Sequence, residues 1–297
     1  MQYYTKQQLQ GAGRYSGHCR IGNWNEDLEM EETQLKDYLT KKERGELKLD
    51  HFQQRMLKAL EKVELSGSGE GMVKFGDTIQ IKSLANGALL ACDVEEKDLR
   101  HGEDARAVTA TPASSQAAAP CARNTFTLAK YDPENPKAND FWFEGDTVRY
   151  GQKVMLVANS LVSGEEPLAL RSWPISTVHF AKFSRHQEIG LTAKISYDCV
   201  WEVLSPDPTK RAISLGAEVL AGAPVCLMHS STKQNLCLEN QLVLNDFGHE
   251  LEVSGKTVSP NGKISTLENM TLGKFKGDLE KAELSPNYFT LVTADVA

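Results

Sequence analysis

Six cysteines and seven histidines are the residues of this chain most able to bind a metal or to attack a substrate. Thiolates and imidazoles hold zinc when they recur at short, fixed spacings such as Cys-x-x-Cys. No two cysteines have that spacing, and the adjacent His18 and Cys19 have no second pair of ligands near them. We therefore expect no metal site and no cofactor. We also expect free structural thiols, which are typical of proteins in a reducing compartment.

Two further histidines, His179 and His186, flank the segment FAKFSR. Their spacing could bring them together on one face of a helix. The sequence around them resembles strands rather than a helix, so we expect them to be surface histidines.

The motifs of enzymatic catalysis are missing from the sequence. No Gly-x-Ser-x-Gly elbow occurs, and no Ser or Cys stands in a recognisable catalytic signature. The acidic pairs at 95–96 and 165–166 indicate charged loops. The glycine-rich stretches at 11–13 and 67–71 lack the Lys-Ser/Thr ending of a phosphate-binding loop. The sequence therefore predicts a protein that is not an enzyme.

Charge and hydropathy narrow the range of partners. Thirty-three basic residues against forty acidic ones give a formal net charge of −7, which is the wrong sign for a protein that neutralises phosphates. No apolar run approaches the roughly 20 residues of a membrane-spanning helix, and the N-terminal residues lack the apolar run of a secretory signal. We expect no nucleic-acid partner, no membrane partner and a cytoplasmic location.

Trp24 is the most unusual residue of an otherwise polar N-terminal segment. It lies between Asn23 and Asn25, in the stretch RIGNWNED that begins at Arg20. Residues 1–25 contain too few apolar side chains to fold alone, so we expect an extended arm that becomes ordered on a partner. The indole either packs the arm against the helix that follows or anchors it on another protein. The candidate partner contacts are Arg20, Asn23, Trp24 and Asn25.

Two helices are predicted over residues 26–65. Asn25 can cap the first helix, whose early turns are acidic and whose late turns are basic, an order that suits the helix dipole. Gly45 can end this helix. The second helix, from about 47 to 63, has apolar residues every three or four positions and so one face to bury. The stretch SGSGEG that follows predicts a flexible linker over 66–74.

Three internal repeats of short alternating strands follow this linker. FGDTIQIKS begins at Phe75, YGQKVMLVA at Tyr150 and AGAPVCLMH at Ala221, and each has glycine in second place. Two apolar residues stand at the same distances after each glycine, which predicts equivalent strands with inward-facing side chains. These residues are Ile79, Ile81, Val154, Leu156, Val225 and Leu227.

Each repeat continues with a second strand (GALLA, PLALR, NLCLE) and closes on an aromatic one (NTFTLAKYD, CVWEVLSPD, NYFTLVTAD). One such unit cannot bury its own apolar face, whereas three can close together and leave no exposed strand edges. We therefore predict a mainly β protein, a β-trefoil of three pseudo-repeats over 75–297, preceded by the extended arm and the two helices. The alternative is an irregular sandwich in which the three similar strand starts arise by chance.

Two stretches depart from the repeat pattern. Residues 105–122, ARAVTATPASSQAAAPCA, contain no large apolar side chain, which predicts a mobile surface loop. The third repeat is longer than the other two because it carries an insertion near SPNGKISTLENMTLGKFKGD.

Motifs along nearly the whole chain resemble the cilia- and flagella-associated protein 161 family. The likeness begins with RIGNWNEDLEMEE followed by KKERGEL, and it continues in order with FGDTIQI, ARNTF, RYGQ, RSW, the Trp201 strand running into SPDP, and NYFTLVT. FGD and YGQ alone would indicate only the wider group of MIR-type trefoil modules. Ala122 departs from the resemblance, since the family has GRNTF where this chain has ARNTF.

The resemblance implies a structural microtubule inner protein of motile cilia and flagella. It implies binding to α/β-tubulin in the lumen of the A-tubule of axonemal doublets, near the seam and beside other inner proteins, and a role in stabilising the axoneme for movement. Two alternatives remain. One is a carbohydrate-binding trefoil, although no aromatic and polar sugar site repeats in the three lobes. The other is a hydrolase or glycosyltransferase, which would need paired carboxylates in a deep pocket.

Overall fold

The computed structural model describes residues 24–67, 69, 71–97, 105–115, 118–131, 145–258 and 283–295. The chain divides into two compact units, Met1–Leu57 and Lys58–Ala297. Within the described ranges, no helix is both long enough and apolar enough to cross a membrane.

Two helices lie near the N-terminus, α1 (Trp24–Arg44) and α2 (Lys48–Ala59). Gly45 ends α1 in the left-handed region, at φ +68°. The N–H of Glu46 donates to the carbonyl of Lys41 at 2.8 Å. This is the Schellman arrangement, in which glycine adopts the left-handed conformation without strain. The two helices and the stop at Gly45 confirm the sequence prediction, but α2 ends at Ala59 rather than near residue 63.

The described residues of the second unit form twelve strands, two short α-helices and three 3-10 helices of three residues each. The α-helices are α3 (Ser160–Ser163) and α4 (Pro208–Ser214). The strands are β1 (Thr78–Ser83), β2 (Leu89–Lys97), β3 (Arg106–Thr111), β4 (Phe126–Lys130), β5 (Lys153–Ala158), β6 (Ala169–Trp173), β7 (Gln187–Thr192), β8 (Trp201–Leu204), β9 (Pro224–His229), β10 (Leu236–Asn245), β11 (Gly248–Gly255) and β12 (Phe289–Val292).

These strands form a β-trefoil, as predicted. Strands β1, β4, β5, β8, β9 and β12 pair antiparallel around a closed barrel. The other six strands form the hairpins β2–β3, β6–β7 and β10–β11. The second strands of the hairpins, β3, β7 and β11, also pair with one another and so bring the three hairpins together. Each repeat supplies two barrel strands and one hairpin.

Three valines join the repeats at the point where their first barrel strands begin. The N–H of Val73 donates to the carbonyl of Val219 at 3.1 Å, that of Val148 to Val73 at 2.8 Å, and that of Val219 to Val148 at 2.9 Å. All three side chains are fully buried. We call this closed set of hydrogen bonds the valine ring.

The valine ring corrects the predicted linker over 66–74, because Val73 lies in that stretch and is a buried member of the trefoil. The compact unit begins earlier still, at Lys58. The N–H of Val63 donates to the carbonyl of Pro120, and Lys62 forms a β-bridge with Cys121. The trefoil therefore extends before Phe75, the start that the repeats alone indicated.

The glycine in second place of each repeat has a conformational reason. Gly76, Gly151 and Gly222 have φ values of +87°, +83° and +74°, a region that side chains with a Cβ rarely enter. The bend aims each N–H at a carbonyl in the closing strand of the same repeat. The pairs are Gly76 with Leu128, Gly151 with Val203 and Gly222 with Leu291.

The barrel core consists of the residues that the strand alternation predicted. The six inward positions of β1, β5 and β9 are all fully buried. They pack with the aromatic residue that opens each closing strand, Phe126, Trp201 and Phe289. The indole N–H of Trp201 donates to the carbonyl of Leu170 at 2.9 Å, which satisfies its buried donor.

The prediction of a mobile surface loop over 105–122 is wrong at both ends of the stretch, over 105–111 and 121–122. Residues 106–111 form strand β3, and Ala110, Cys121 and Ala122 are buried. Strand β3 runs close to β7, since a Cβ added to Gly190 would lie 2.8 Å from the carbonyl of Arg106. Glycine at this position of β7 allows the two backbones to approach.

Candidate protein-interaction surfaces

Burial makes the described cysteines poor nucleophiles and poor metal ligands. The five cysteines of the described residues are buried and free. Burial raises the pKa of the Cys92, Cys226 and Cys237 thiols to about 12, so these thiols stay protonated at neutral pH. The described part of the chain holds no group of three or more His, Cys, Asp or Glu residues placed to bind a metal ion.

Arg123 and Glu250 form an ion pair, and both residues are almost completely buried. Two parallel hydrogen bonds of 2.7 and 2.9 Å join the guanidinium to the carboxylate. Thr109, Thr111 and Asn245 donate to the same carboxylate at 2.6 Å each. Burial alone would raise the pKa of Glu250, but the hydrogen bonds and charge of Arg123 outweigh it and lower that pKa to about 2.

This cluster links two parts of the trefoil. Arg123 belongs to the first repeat and Glu250 to the third, so the ion pair ties two lobes of the trefoil. The guanidinium carbon also lies 3.6 Å from the centre of the Phe247 ring, a favourable cation–π contact. Every carboxylate oxygen is engaged by a donor, and neither group faces an open cleft.

A cavity of about 110 Å³ lies where the hairpins meet. Trp173 lines it, but the indole is 3% exposed and its ring is already used in contacts. The His179 ring stacks on it with centroids 6.2 Å apart, and the Arg171 guanidinium carbon lies 4.9 Å from its centre. Sugar binding needs an open aromatic face, so this cavity does not favour the carbohydrate-binding alternative.

The predicted partner contacts around Trp24 are only partly covered by the structure. Trp24 and Asn25 belong to the first described turn of α1, whereas Arg20 and Asn23 lie outside the described residues. Asn25 was predicted to cap the helix from an extended arm, and this is wrong, since the helix already includes Trp24. The role of these four residues as partner contacts stays a prediction.

Helices α1 and α2 present apolar side chains to solvent. On α1, Leu35, Tyr38 and Leu39 form one stripe, with Leu35 58% exposed. On α2, Leu49 and Phe52 are exposed three residues apart. The polar side of α1 carries surface ion pairs, such as Lys41 with Asp37 at 2.7 Å, which contribute little to stability. A helix in water usually derives most of its stability from packing such a stripe.

The histidines predicted to lie on the surface belong to the loop between β6 and β7 and are only partly exposed. His179 stacks on Trp173. The Nδ1 atom of His186 lies 2.7 Å from the carboxylate of Glu239 on β10. Both rings therefore help to position the loop against its surroundings.

The closed barrel, its three hairpins and the valine ring define a β-trefoil protein with an N-terminal helical extension. Residues 48–271 match the family model described as the cilia- and flagella-associated protein 161-like domain. The chain belongs to this family, which is named for its association with cilia and flagella.

Relatives of that name cover most of the chain. The cilia- and flagella-associated protein 161 of Danio rerio is 29% identical over 268 residues, which are 86% of this chain and 86% of the relative. The Bos taurus protein is 28% identical over 86% of this chain and 80% of its own length. A Caenorhabditis elegans protein of unknown function matches in structure with a TM-score of 0.50 and 17% identity, over 76% of this chain and 99% of its own. That last likeness shows the fold alone.

Proposed function

We propose that this protein is a structural microtubule inner protein. It binds α/β-tubulin of the A-tubule wall in the lumen of ciliary and flagellar doublets, near the seam and beside other inner proteins, and it stabilises the axoneme for motility. Membership of the family supports the association with cilia. The apolar stripe of α1, exposed to solvent, is the observation that supports a role in assembly.

The α1 stripe is suited to docking in a groove of another protein. Leu35, Tyr38 and Leu39 are three and four residues apart, so they share one helix face. Amphipathic helices bind partners through such a face. Burying one leucine-sized side chain contributes about 1.5 to 3 kcal/mol, so the stripe alone would supply a substantial part of an assembly interface.

The proposed role is non-enzymatic. The carboxylate of Glu250 is fully occupied by hydrogen bonds, and burial holds the cysteine thiols of the described residues in their protonated form. The buried ion pair and the valine ring hold the trefoil together as a rigid domain. A rigid domain with helices that present apolar faces is suited to permanent assembly rather than to catalytic turnover.

The test compares two double variants of α1 expressed in ciliated cells that lack the native protein. Leu35→Ser with Leu39→Ser removes the stripe from exposed positions, so the fold should survive. Asp37→Ser with Lys41→Ser has the same spacing on the polar side and serves as the control. We expect the stripe variant to be depleted from isolated doublets and the control to be retained. Equal incorporation of the two variants would refute the role given to α1.

A further inference from the structure

The loop between β6 and β7 is unusually long for a hairpin connection. Strand β6 ends at Trp173 and β7 begins at Gln187, whereas the hairpin of the third repeat turns directly from Asn245 to Gly248. Hairpin loops usually contain about 2 to 5 residues, and longer ordered loops are mostly functional. The third repeat therefore shows that the trefoil itself does not require the β6–β7 loop.

A buried carboxylate holds the tip of this loop. Glu252 on β11 is 6% exposed. Its two oxygens accept hydrogen bonds from the backbone N–H groups of Phe183 at 2.9 Å and Ser184 at 2.8 Å. The loop backbone also closes on itself, since the N–H of Ala181 donates to the carbonyl of His186 at 2.9 Å. The segment thus has a defined shape.

Side chains fix both flanks of the loop. His179 stacks on Trp173 at the start, and His186 meets Glu239 near the end. The Arg185 guanidinium carbon lies 4.6 Å from the centre of the Phe180 ring. A surface that is ordered before binding loses less conformational entropy when a partner arrives. The loop is in this sense preorganised.

This ordered loop turns apolar side chains towards solvent. Ile175 is 63% exposed, and Val178 and Phe183 are about half exposed. Single exposed apolar residues are common on protein surfaces, but three on one loop form a candidate contact surface. The buried Glu252 holds the backbone at Phe183 by hydrogen bonds. This anchoring keeps the Phe183 ring exposed.

The charge of the loop is opposite to that of the whole protein. Residues 174–187 contain Lys182 and Arg185 but no Asp or Glu, in a chain of net charge −7. The described carboxylates that approach from other elements each contact the loop. Glu252 is held by the loop backbone, Glu239 by His186 and Glu96 by Lys182 at 3.2 Å. The carboxylate of Glu188 on β7 lies 4.0 Å from the His179 ring. The Lys182–Glu96 pair is exposed, so it contributes little and can open.

We infer that the β6–β7 loop is a docking site for an acidic polypeptide segment of a partner protein, with apolar side chains that cover Ile175, Val178 and Phe183. Lys182 and Arg185 attract the acidic residues, and the apolar side chains supply the buried contact area. This site is independent of the α1 stripe and of the proposed binding to tubulin. It would stand if the protein proved to lie elsewhere in the cilium.

The test uses the full-length chain as bait for random peptides displayed on phage. We expect the enriched peptides to combine an excess of Asp and Glu with aliphatic or aromatic residues. The affinity of one such synthetic peptide should fall by about ten-fold or more in Lys182→Glu with Arg185→Glu, and also in Phe183→Ser, which leaves the charges in place. Raised salt should weaken the binding. The control, Lys62→Glu with Lys210→Glu, reverses two exposed lysines outside the loop and should bind as the wild type does.

Three results would overturn the inference. The first is enrichment of neutral or basic peptides, or of none. The second is equal binding of the acidic peptide by the wild-type chain and by both loop variants, with unchanged circular dichroism of the variants as the check on folding. The third is binding of phosphatidylserine vesicles through the loop while the acidic peptides fail to bind, which would assign the surface to a membrane.

Discussion

At the scale of single residues, the strongest prediction about the free energy of unfolding concerns the ion pair of Arg123 and Glu250. The two are 127 positions apart in the chain, and no spacing rule connects them. Strand periodicity could predict the six buried barrel positions, because alternation is a local property. A contact between lobes depends on the closed fold, so neither Glu250 nor its three polar donors stood out in the sequence.

Replacing Glu250 by Gln should destabilise the protein strongly. The variant leaves the Arg123 charge buried without its counter-ion, which typically costs about 3 to 5 kcal/mol. Urea unfolding of the full chain measures the loss. The control is Glu218→Gln, which breaks the partly exposed Arg149–Glu218 pair at 3.4 Å and should cost less than about 1 kcal/mol. Similar losses for both variants would contradict the structural role of the cluster.

Glu250 should also make the free energy of unfolding depend on pH in the acid range. The pKa of Glu250 is lowered from 4.5 to about 2 in the folded protein, so its contribution is complete above the unfolded value of 4.5. That contribution is lost as the pH falls from 4.5 towards 2, because the unfolded chain then binds the proton more readily than the folded one. Glu250→Gln should remove this part of the acid dependence, and an unchanged slope would contradict it.

At the scale of elements, the sequence predicted strands and turns better than it predicted tightly packed small residues. The glycine in second place of each repeat served only to align the repeats, and the positive φ values of Gly76, Gly151 and Gly222 show that it also makes a bend there. The stretches 66–74 and 105–122 were misjudged as mobile. Small and polar residues suit a surface loop, but they also suit sites where backbones approach closely, and composition cannot separate the two. The preceding valines, in VKFG, VRYG and VLAG, were a signal that could have identified the ring.

The valine ring predicts that its three valines contribute equally to the free energy of unfolding, although Val73 lies in the stretch that was predicted to be a linker. Val73→Ala, Val148→Ala and Val219→Ala each remove two methyl groups from a fully buried site, so each should lower the free energy of unfolding by about 1.5 to 3 kcal/mol. Denaturant unfolding of the three single variants measures this. A neutral Val73→Ala beside two costly partners would show that the stretch before Phe75 behaves as a linker after all.

At the scale of the whole molecule, two kinds of surface are available for assembly. Helix α1 offers an apolar stripe, and the β6–β7 loop combines apolar and basic side chains. The family motifs in the sequence indicated the ciliary association, which the family match confirms. The stripe follows from helical periodicity, whereas the loop surface depends on Glu252, a residue on another hairpin that sequence alone did not connect to it.

Stepwise extraction of isolated axonemes tests the proposal that the protein lies in the lumen of doublet microtubules. Axonemes are washed in high salt and then treated with a detergent that opens the doublets, and this chain is followed in each fraction by mass spectrometry. We expect it to stay with the doublets through the salt wash and to be released when they open. Release by salt alone, or absence from axonemes, would contradict a lumenal position.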